Sequence, residues 1–571
     1  MKTIKTDILI LGSGGAGLFA ALHAHQKNPE LSITVAVKGL LGKCGCTRMV
    51  QGGYNVALAE GDSIERHFMD TIEGGKWLPD QDLAWTLVTK AVERVHELEN
   101  ELGCFFDRNP DVTLHQKAFA GQTFDRTVHK GDLTGIEIIN RLAEQVWVSG
   151  AQRLEEHRAV EIVRDASGRG VSGVVMIDMR EGEFVFVQAK AVLLATGGGP
   201  TMYRFHTPSG DKSCDGLAMA LRAGLTLRDM EMVQFHPTGL LAGPGTRMTG
   251  TVLEEGLRGS GGYLLNGAKE RFMGNYDARG ERATRDIVSR SIFSEMRAGR
   301  GTPNGGVYIA MGHLGPENVR AQFKGMVERC ADCGFDLAAG LVEVVPTAHY
   351  MMGGVEFAAD GHTALEGLFA AGEDTGGVHG ANRLGGNGVA NSTVFGGLAG
   401  DAMAAWTPHA ALREPAPGAL EEAESRAREP LDRPPRGNLG AIRDALHGVM
   451  WEDVGILRTA EGLARGRARL AELEAELHET GLGPQDLRYN LTWHDWLNLQ
   501  SLITVSRAIC EAADARTDSR GAHFREDHPR TGDLETSAFS RVRLADGRLE
   551  VSWKPVEFTR VRPGQSLLLA P

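Results

Sequence analysis

The sequence predicts an α/β fold: a Rossmann-like dinucleotide-binding domain interrupted by a long insertion and followed by a helical C-terminal domain. Three observations carry this prediction. The apolar run Asp7 to Leu11 leads straight into Gly12-Ser13-Gly14-Gly15-Ala16-Gly17 and then into the helical pattern LFAALHAHQKN. Two later apolar runs, in AKAVLLATGGG (189–199) and EGLFAAGED (366–374), read as strands that end in glycine, far apart in the chain. Beyond residue 405 this texture gives way to Pro-rich linkers and a leucine-spaced helix.

The first element is a strand, glycine turn and helix. The first glycine permits the tight turn, the second lets backbone amides approach a pyrophosphate at the helix N-terminus, and the third allows close helix–strand packing. The second strand, SITVAVK, ends at Lys38, where many such folds place a ribose-binding acid, so the usual acidic cue is missing. Alternating residues between Val160 and Val187 predict a β-meander. Glu373 ends a parallel strand, where ligands sit in open α/β sheets. One nucleotide fold completed from distant parts of the chain suits FAD better than NAD. Further on, TPHAALREPAPGAL and EPLDRPPRGN read as linkers, and Leu463, Leu470, Leu473 and Leu477 share one helical face. The last fifty residues carry turn signals and short β-like runs such as RLEVSW.

Composition narrows the function. At 571 residues and 42% hydrophobic content, the chain has room for two or more domains with their own cores. Its 74 glycines have no collagen-like period and cluster in loops, as close backbone approach to a large ligand requires. A net charge of -13 without a long basic run argues against nonspecific nucleic-acid binding, and leaves room for local basic sites that hold an anionic substrate. The N-terminal apolar run is too short for a signal peptide or a membrane span, so a cytoplasmic chain is expected, with any membrane connection made through partner subunits. The cysteines are Cys44, Cys46, Cys104, Cys214, Cys330, Cys333 and Cys510; their spacing matches neither a zinc ribbon nor a ferredoxin, and no metal site is expected. Cys330-x-x-Cys333 reads as a helix end. Cys44-x-Cys46, in KCGCTRMVQGGYN, stays open among half a metal site, a redox pair, a cofactor contact and two buried thiols.

In order along the chain stand GSGGAG, QGG, ATGGG, MEMVQFHPTG, EEGLRGSGGYLLN, ATRDIVSRSI, PTAHYMMGG, GLFAAGE, VHGANRLGGN and SRGAHFREDHP. Over nearly its whole length the sequence resembles the succinate dehydrogenase and fumarate reductase flavoprotein subunits, a family that includes L-aspartate oxidase. The resemblance implies an FAD-binding domain at 1–235 and 346–405, an inserted α+β capping domain at 236–345, a helical domain at 406–520 and an extension at 521–571. It implies FAD contacts at Gly12, Ser13, Gly14, Gly15, Ala16, Gly17, Lys38, Cys46, Thr47, Gln51, Gly52, Gly53, Ala195, Thr196, Gly197, Asp215, Glu373 and Asn387. The planar fork of Arg383 suits a substrate carboxylate, with His236 and His349 as further donors. Arg285 matches the family's proton-transfer arginine, and Glu255 and Arg258 match the relay leading to it. The implied reaction is hydride transfer between a dicarboxylate-type substrate and FAD, with electrons exchanged with an iron–sulfur partner subunit, because SRGAHFREDHP is closer to the complex-forming dehydrogenases. An L-aspartate oxidase-like enzyme is the alternative.

Departures from the family pattern matter as well. Glu254 stands where the family has threonine, and an ionised Glu254 facing a carboxylate would repel it. The loop LLAGPGTRMTGTVL is also longer than in typical members. Either Thr249 or Thr251 refills the gap or the substrate is modified at that end; a modified substrate, bulkier or bearing an amino or hydroxyl group, is the favoured expectation. Cys46 occupies the position where membrane-complex members carry the histidine that tethers FAD, so a histidyl link is excluded, and Cys46 is either an unlinked neighbour of the flavin or a thioether tether.

Overall fold

The computed structural model describes residues 1–243, 246 and 248–568. Its first sheet is built on β1 (Lys2–Leu11), whose Ile8, Leu9, Ile10 and Leu11 are inaccessible to solvent or nearly so. β2 (Ile33–Val37) pairs with it in parallel, Ile8 opposite Ile33, and β3 (Gln152–Glu155) pairs in parallel with β2. Such central parallel strands are covered on both faces, which is why they read as continuous rather than alternating apolar runs. β4 (His157–Arg164), β5 (Val171–Asp178) and β6 (Glu183–Leu194) form an antiparallel meander, and β6 returns in parallel beside β1. One expectation changes here. AKAVLLATGGG is not a separate strand but the far half of β6, whose Glu183–Gln188 half pairs with β5 while Val192–Leu194 pairs with the parallel strand Leu368–Ala370. A twelve-residue strand can serve two neighbours in turn along one edge.

After β6 the chain forms α2 (Asp215–Arg222), the counterpart at this sheet of α1 (Gly15–Lys27), and enters an antiparallel sheet ordered β7 (Val233–Leu240), β10 (Leu341–Met351), β9 (Val307–Ala310), β8 (Tyr263–Leu265). α3 (Arg285–Arg297) lies against β7 and β10 and buries Val288 and Ile292 in a core shared with Leu240, Leu264 and Val344. The β7–β10 register shifts twice, between Gln234 and Phe235 and between His236 and Gly239. Such bulges re-aim side chains; His236 lies between them.

The chain then returns to the first sheet through Leu368–Ala370 and forms α4 (Asn387–Trp406). α4 lies so close to α1 that a Cβ at Gly396 would come within 2.5 Å of the Ala16 carbonyl oxygen, and one at Gly400 within 2.4 Å of that of Ala20. The C-terminal region is helical over 419–428, 439–452, 460–479 and 491–515, with Leu463, Leu470, Leu473 and Leu477 all buried. The last segment does not stand apart: the hairpin Ala538–Ala545 with Arg548–Pro555 adds to the short strand Leu227–Arg228. Cys330 lies in the last turns of the helix Lys324–Asp332 and Cys333 just past it, and all seven cysteines are free thiols. Among the described residues no helix is long and apolar enough to cross a membrane.

Candidate active site

One continuous cavity runs from the β1–α1 turn to the inserted sheet. At its nucleotide end Gly12 has φ +109°, and a Cβ there would lie 2.2 Å from the Ala195 carbonyl oxygen. Gly12 to Ala16, Ala195, Thr196 and Gly197 form the walls, while Gly17 sits behind them with the Gly12 carbonyl against its α-carbon. The acid missing at the end of β2 is supplied from elsewhere: Lys38 Nζ lies 2.9 Å from Asp215 Oδ2, and Arg158 lies 2.8 Å from Asp215 Oδ1. Burial raises the Asp215 pKa, but Arg158 and Lys38 outweigh it and hold the carboxyl below its usual range.

The middle of the cavity is lined by Cys46, Thr47, Gln51, Gly52, Gly53 and Glu373. Thr47 Oγ1 accepts from the Gly15 amide at 3.0 Å, joining the opening turn to the start of α1. Glu373 accepts from the Met351 amide at 3.0 Å, and burial pushes its pKa up to about 7. Burial, with Glu373 nearby, pushes the Cys46 thiol up to about 12. Gln51 Oε1 is buried without a hydrogen-bond partner. A glycine cradle at a helix N-terminus, an ion-paired acid at one end and this unpartnered acceptor fit an extended dinucleotide such as FAD.

At the other end, α3 begins with Arg285, whose Nη2 and Nε donate to Glu255 Oε2 at 2.7 and 3.1 Å and whose Nη1 donates to Gln234 Oε1 at 3.1 Å. Arg258, one turn after Glu255, donates to its Oε1 at 3.0 Å. Burial raises the Glu255 pKa, but the two guanidiniums hold it below the usual carboxylate value. The three residues expected to form the relay are therefore in direct contact, with Arg285 and Glu255 at the cavity wall and Arg258 behind them. Arg383 lies 5% exposed over the Tyr350 ring at 4.3 Å, its Nε without a partner and its one side-chain hydrogen bond among the described residues a 3.4 Å contact with the Leu384 carbonyl. Burial, with Arg285 adding to it, brings its pKa down to about 10. His236 and His349 lie with ring centroids 5.4 Å apart, both held neutral by burial and by Arg285. His236 Nδ1 accepts from the Thr238 amide at 3.3 Å, which leaves Nε2 as its donor.

Three expectations shift. Asn387 does not line the cavity; His67, Asn55 and Thr71 hold its side chain, and it fixes the start of α4. Thr249 is held within its own loop by Ala242 and Gly243, while Thr251 reaches the cavity wall. Glu254 does line the cavity, but not as the isolated charge on which the modified-substrate expectation stood: Lys117 Nζ lies 3.0 Å from its Oε2. The sequence reading missed Lys117, Gln234, Tyr350 and Arg158. Of these Gln234 and Tyr350 had a signal, Gln234 standing two residues before His236 on one strand and Tyr350 directly after His349 on another.

The FAD binding domain family matches residues 7–389, and the family of fumarate reductase flavoprotein C-terminal regions matches 443–567. One subunit of the CoM/CoB fumarate reductase of Methanothermobacter marburgensis is 41% identical, over 92% of this chain and 95% of that protein. The fumarate reductase flavoprotein subunit of Escherichia coli is 34% identical over 99% and 96%. A solved E. coli quinol fumarate reductase chain superposes with a TM-score of 0.93 at 33% identity, covering 99% of both chains.

Proposed function

Because the chain belongs to the fumarate reductase and succinate dehydrogenase flavoprotein family of FAD-dependent oxidoreductases, we propose that it interconverts fumarate and succinate and exchanges the electrons with an iron–sulfur partner subunit. The observation that carries this reading is Arg383, a buried cation with no carboxylate partner among the described residues, on the same cavity as the Arg285–Glu255–Arg258 relay. A buried guanidinium left in this state is completed by a bound carboxylate, which it can grip through two parallel hydrogen bonds. Neutral His236 and His349 add donors for carboxylate oxygens. Bound FAD supplies the two-electron donor or acceptor for hydride transfer at one substrate carbon.

Arg285 gives or takes the proton at the neighbouring carbon. An arginine is a poor base at neutral pH by itself, so the step depends on rapid return of its charge. Glu255, hydrogen-bonded to Arg285 through one oxygen and to Arg258 through the other, is placed to hand a proton along that line. The iron–sulfur partner is supported by the SRGAHFREDHP segment and by the relatives named as subunits. Steady-state assays with a reduced dye and fumarate, an oxidised dye and succinate, and oxygen with L-aspartate test the reading. Turnover of the C4 dicarboxylates is expected. Oxygen-dependent turnover of L-aspartate, with neither dicarboxylate turned over, would overturn it.

A further inference from the structure

We propose that Lys117 is a positioning residue for substrate choice: paired with Glu254, it cancels a cavity-wall carboxylate charge and so sets the site to accept dianionic C4 acids rather than amino-bearing ones. This rests on the dicarboxylate reading above. Glu254 is 6% exposed and lines the cavity, so its charge would act on a substrate with little screening. Lys117 stands behind it, outside the cavity wall, with Nζ 3.0 Å from Glu254 Oε2 and 3.2 Å from the Gly131 carbonyl. The lysine is held in place from its own strand. Neighbouring Gln116 donates to the carbonyls of Val56 at 2.7 Å and Arg126 at 2.8 Å, and Lys117 pairs with Thr127 across the strand. Its ammonium also lies 5.8 Å from the ring of Phe119, which lines the cavity. Asp132 and Arg329 also act on Glu254, with opposite signs. Among the described residues Lys117 is the one cation in ion-pair contact with Glu254, so it decides whether that carboxylate faces the cavity uncompensated.

The test uses the FAD-loaded protein. Lys117→Met should raise the KM for fumarate at least about tenfold, since an uncompensated like charge facing the substrate costs that much or more, while kcat stays within about threefold. Lys117→Met combined with Glu254→Thr should bring KM back to near the wild-type value, and Lys117→Arg should keep it there. A merely structural lysine would not be rescued by changing Glu254. An unchanged KM in Lys117→Met, or a KM equally raised in the double variant, overturns the proposal. If Lys117→Met does not fold, Glu254→Gln decides: with Lys117 then uncompensated, dianion affinity should rise at least about threefold, and unchanged or weaker affinity overturns the proposal. Malonate binding, followed by flavin difference absorbance in each variant, runs in parallel. Wild-type protein that binds malonate but does not reduce fumarate refutes the proposed reaction alone, and the role of Lys117 is then judged on malonate affinities by the same criteria.

Discussion

Replacing Arg383 by methionine should make the substrate-free protein more stable while nearly abolishing substrate binding. The guanidinium is buried, its Nε has no partner, and its pKa lies at about 10 against an ordinary 12.5. That difference corresponds to about 3 kcal/mol of preference for the uncharged form. At pH 7 the group is charged in folded and unfolded chains alike, so the folded state carries the whole penalty, which fades only as pH rises past about 10. Methionine removes the charge but also the stacking on Tyr350, worth about 0.5–2 kcal/mol. The net gain is about 1–2.5 kcal/mol, or about 1–2 °C in Tm for a chain of this size. Substrate binding moves the other way, because losing a bidentate charged contact costs about 2–5 kcal/mol, a rise in fumarate KM of about 30-fold or more. Thermal unfolding with and without fumarate, beside steady-state kinetics, reads both. Wild type should gain Tm on adding fumarate and Arg383→Met should not. A variant that is less stable without ligand and still binds fumarate well would refute the account of Arg383 as an uncompensated carboxylate anchor.

Arg285→Gln should retain FAD, measured by absorbance per chain, and lose at least about two orders of magnitude in turnover, the usual worth of a positioned proton-transfer group. Acid precipitation should release the flavin from wild type and from Cys46→Ser alike, since a thiol at about 12 is almost entirely protonated at neutral pH; flavin retained in the wild-type pellet and lost from that of Cys46→Ser would establish a thioether. Asp215→Asn should lower Tm at pH 7, because it leaves Arg158 and Lys38 unpaired. The folded Asp215 pKa lies below its ordinary 3.8, so its stabilisation is complete above that value and fades as pH falls toward the folded pKa. The wild-type excess in Tm should therefore shrink in acid, and a constant difference down to the acid limit would count against the assignment.

Much of this was legible in local pattern. The glycine turn after an apolar strand, the leucine spacing near residue 470 and the motif positions of Arg285, Glu255, His236, His349 and Arg383 are short-range signals, and the structure gathers those five residues at one cavity end. What escaped is what depends on long-range partners. Nothing near Glu254 announces Lys117, which lies 137 positions earlier, and nothing near Lys38 announces Asp215, 177 positions later. Asn387 was misplaced because it shares a glycine-rich segment with true cavity residues, while its side chain faces the packed side of α4. The strand Leu227–Arg228 has only two residues, too few for any periodicity to show, and exists because a hairpin more than 300 positions away pairs with it.

The order of synthesis gives the split first sheet a cost during production of the chain. β6 is complete by residue 194, but the strand that pairs with its far end is not made until residue 370. At about 5–20 residues per second that interval lasts about 9–35 s. Throughout it the Val192–Leu194 edge, apolar and fully buried in the finished molecule, has no neighbour on the side away from β1. Unpaired apolar edges recruit strands from other chains. Yield of native protein should therefore respond strongly to growth temperature and to chaperone supply, and substitutions in the inserted region that delay its collapse should appear first as aggregated nascent chains, before any loss of catalysis in the molecules that mature.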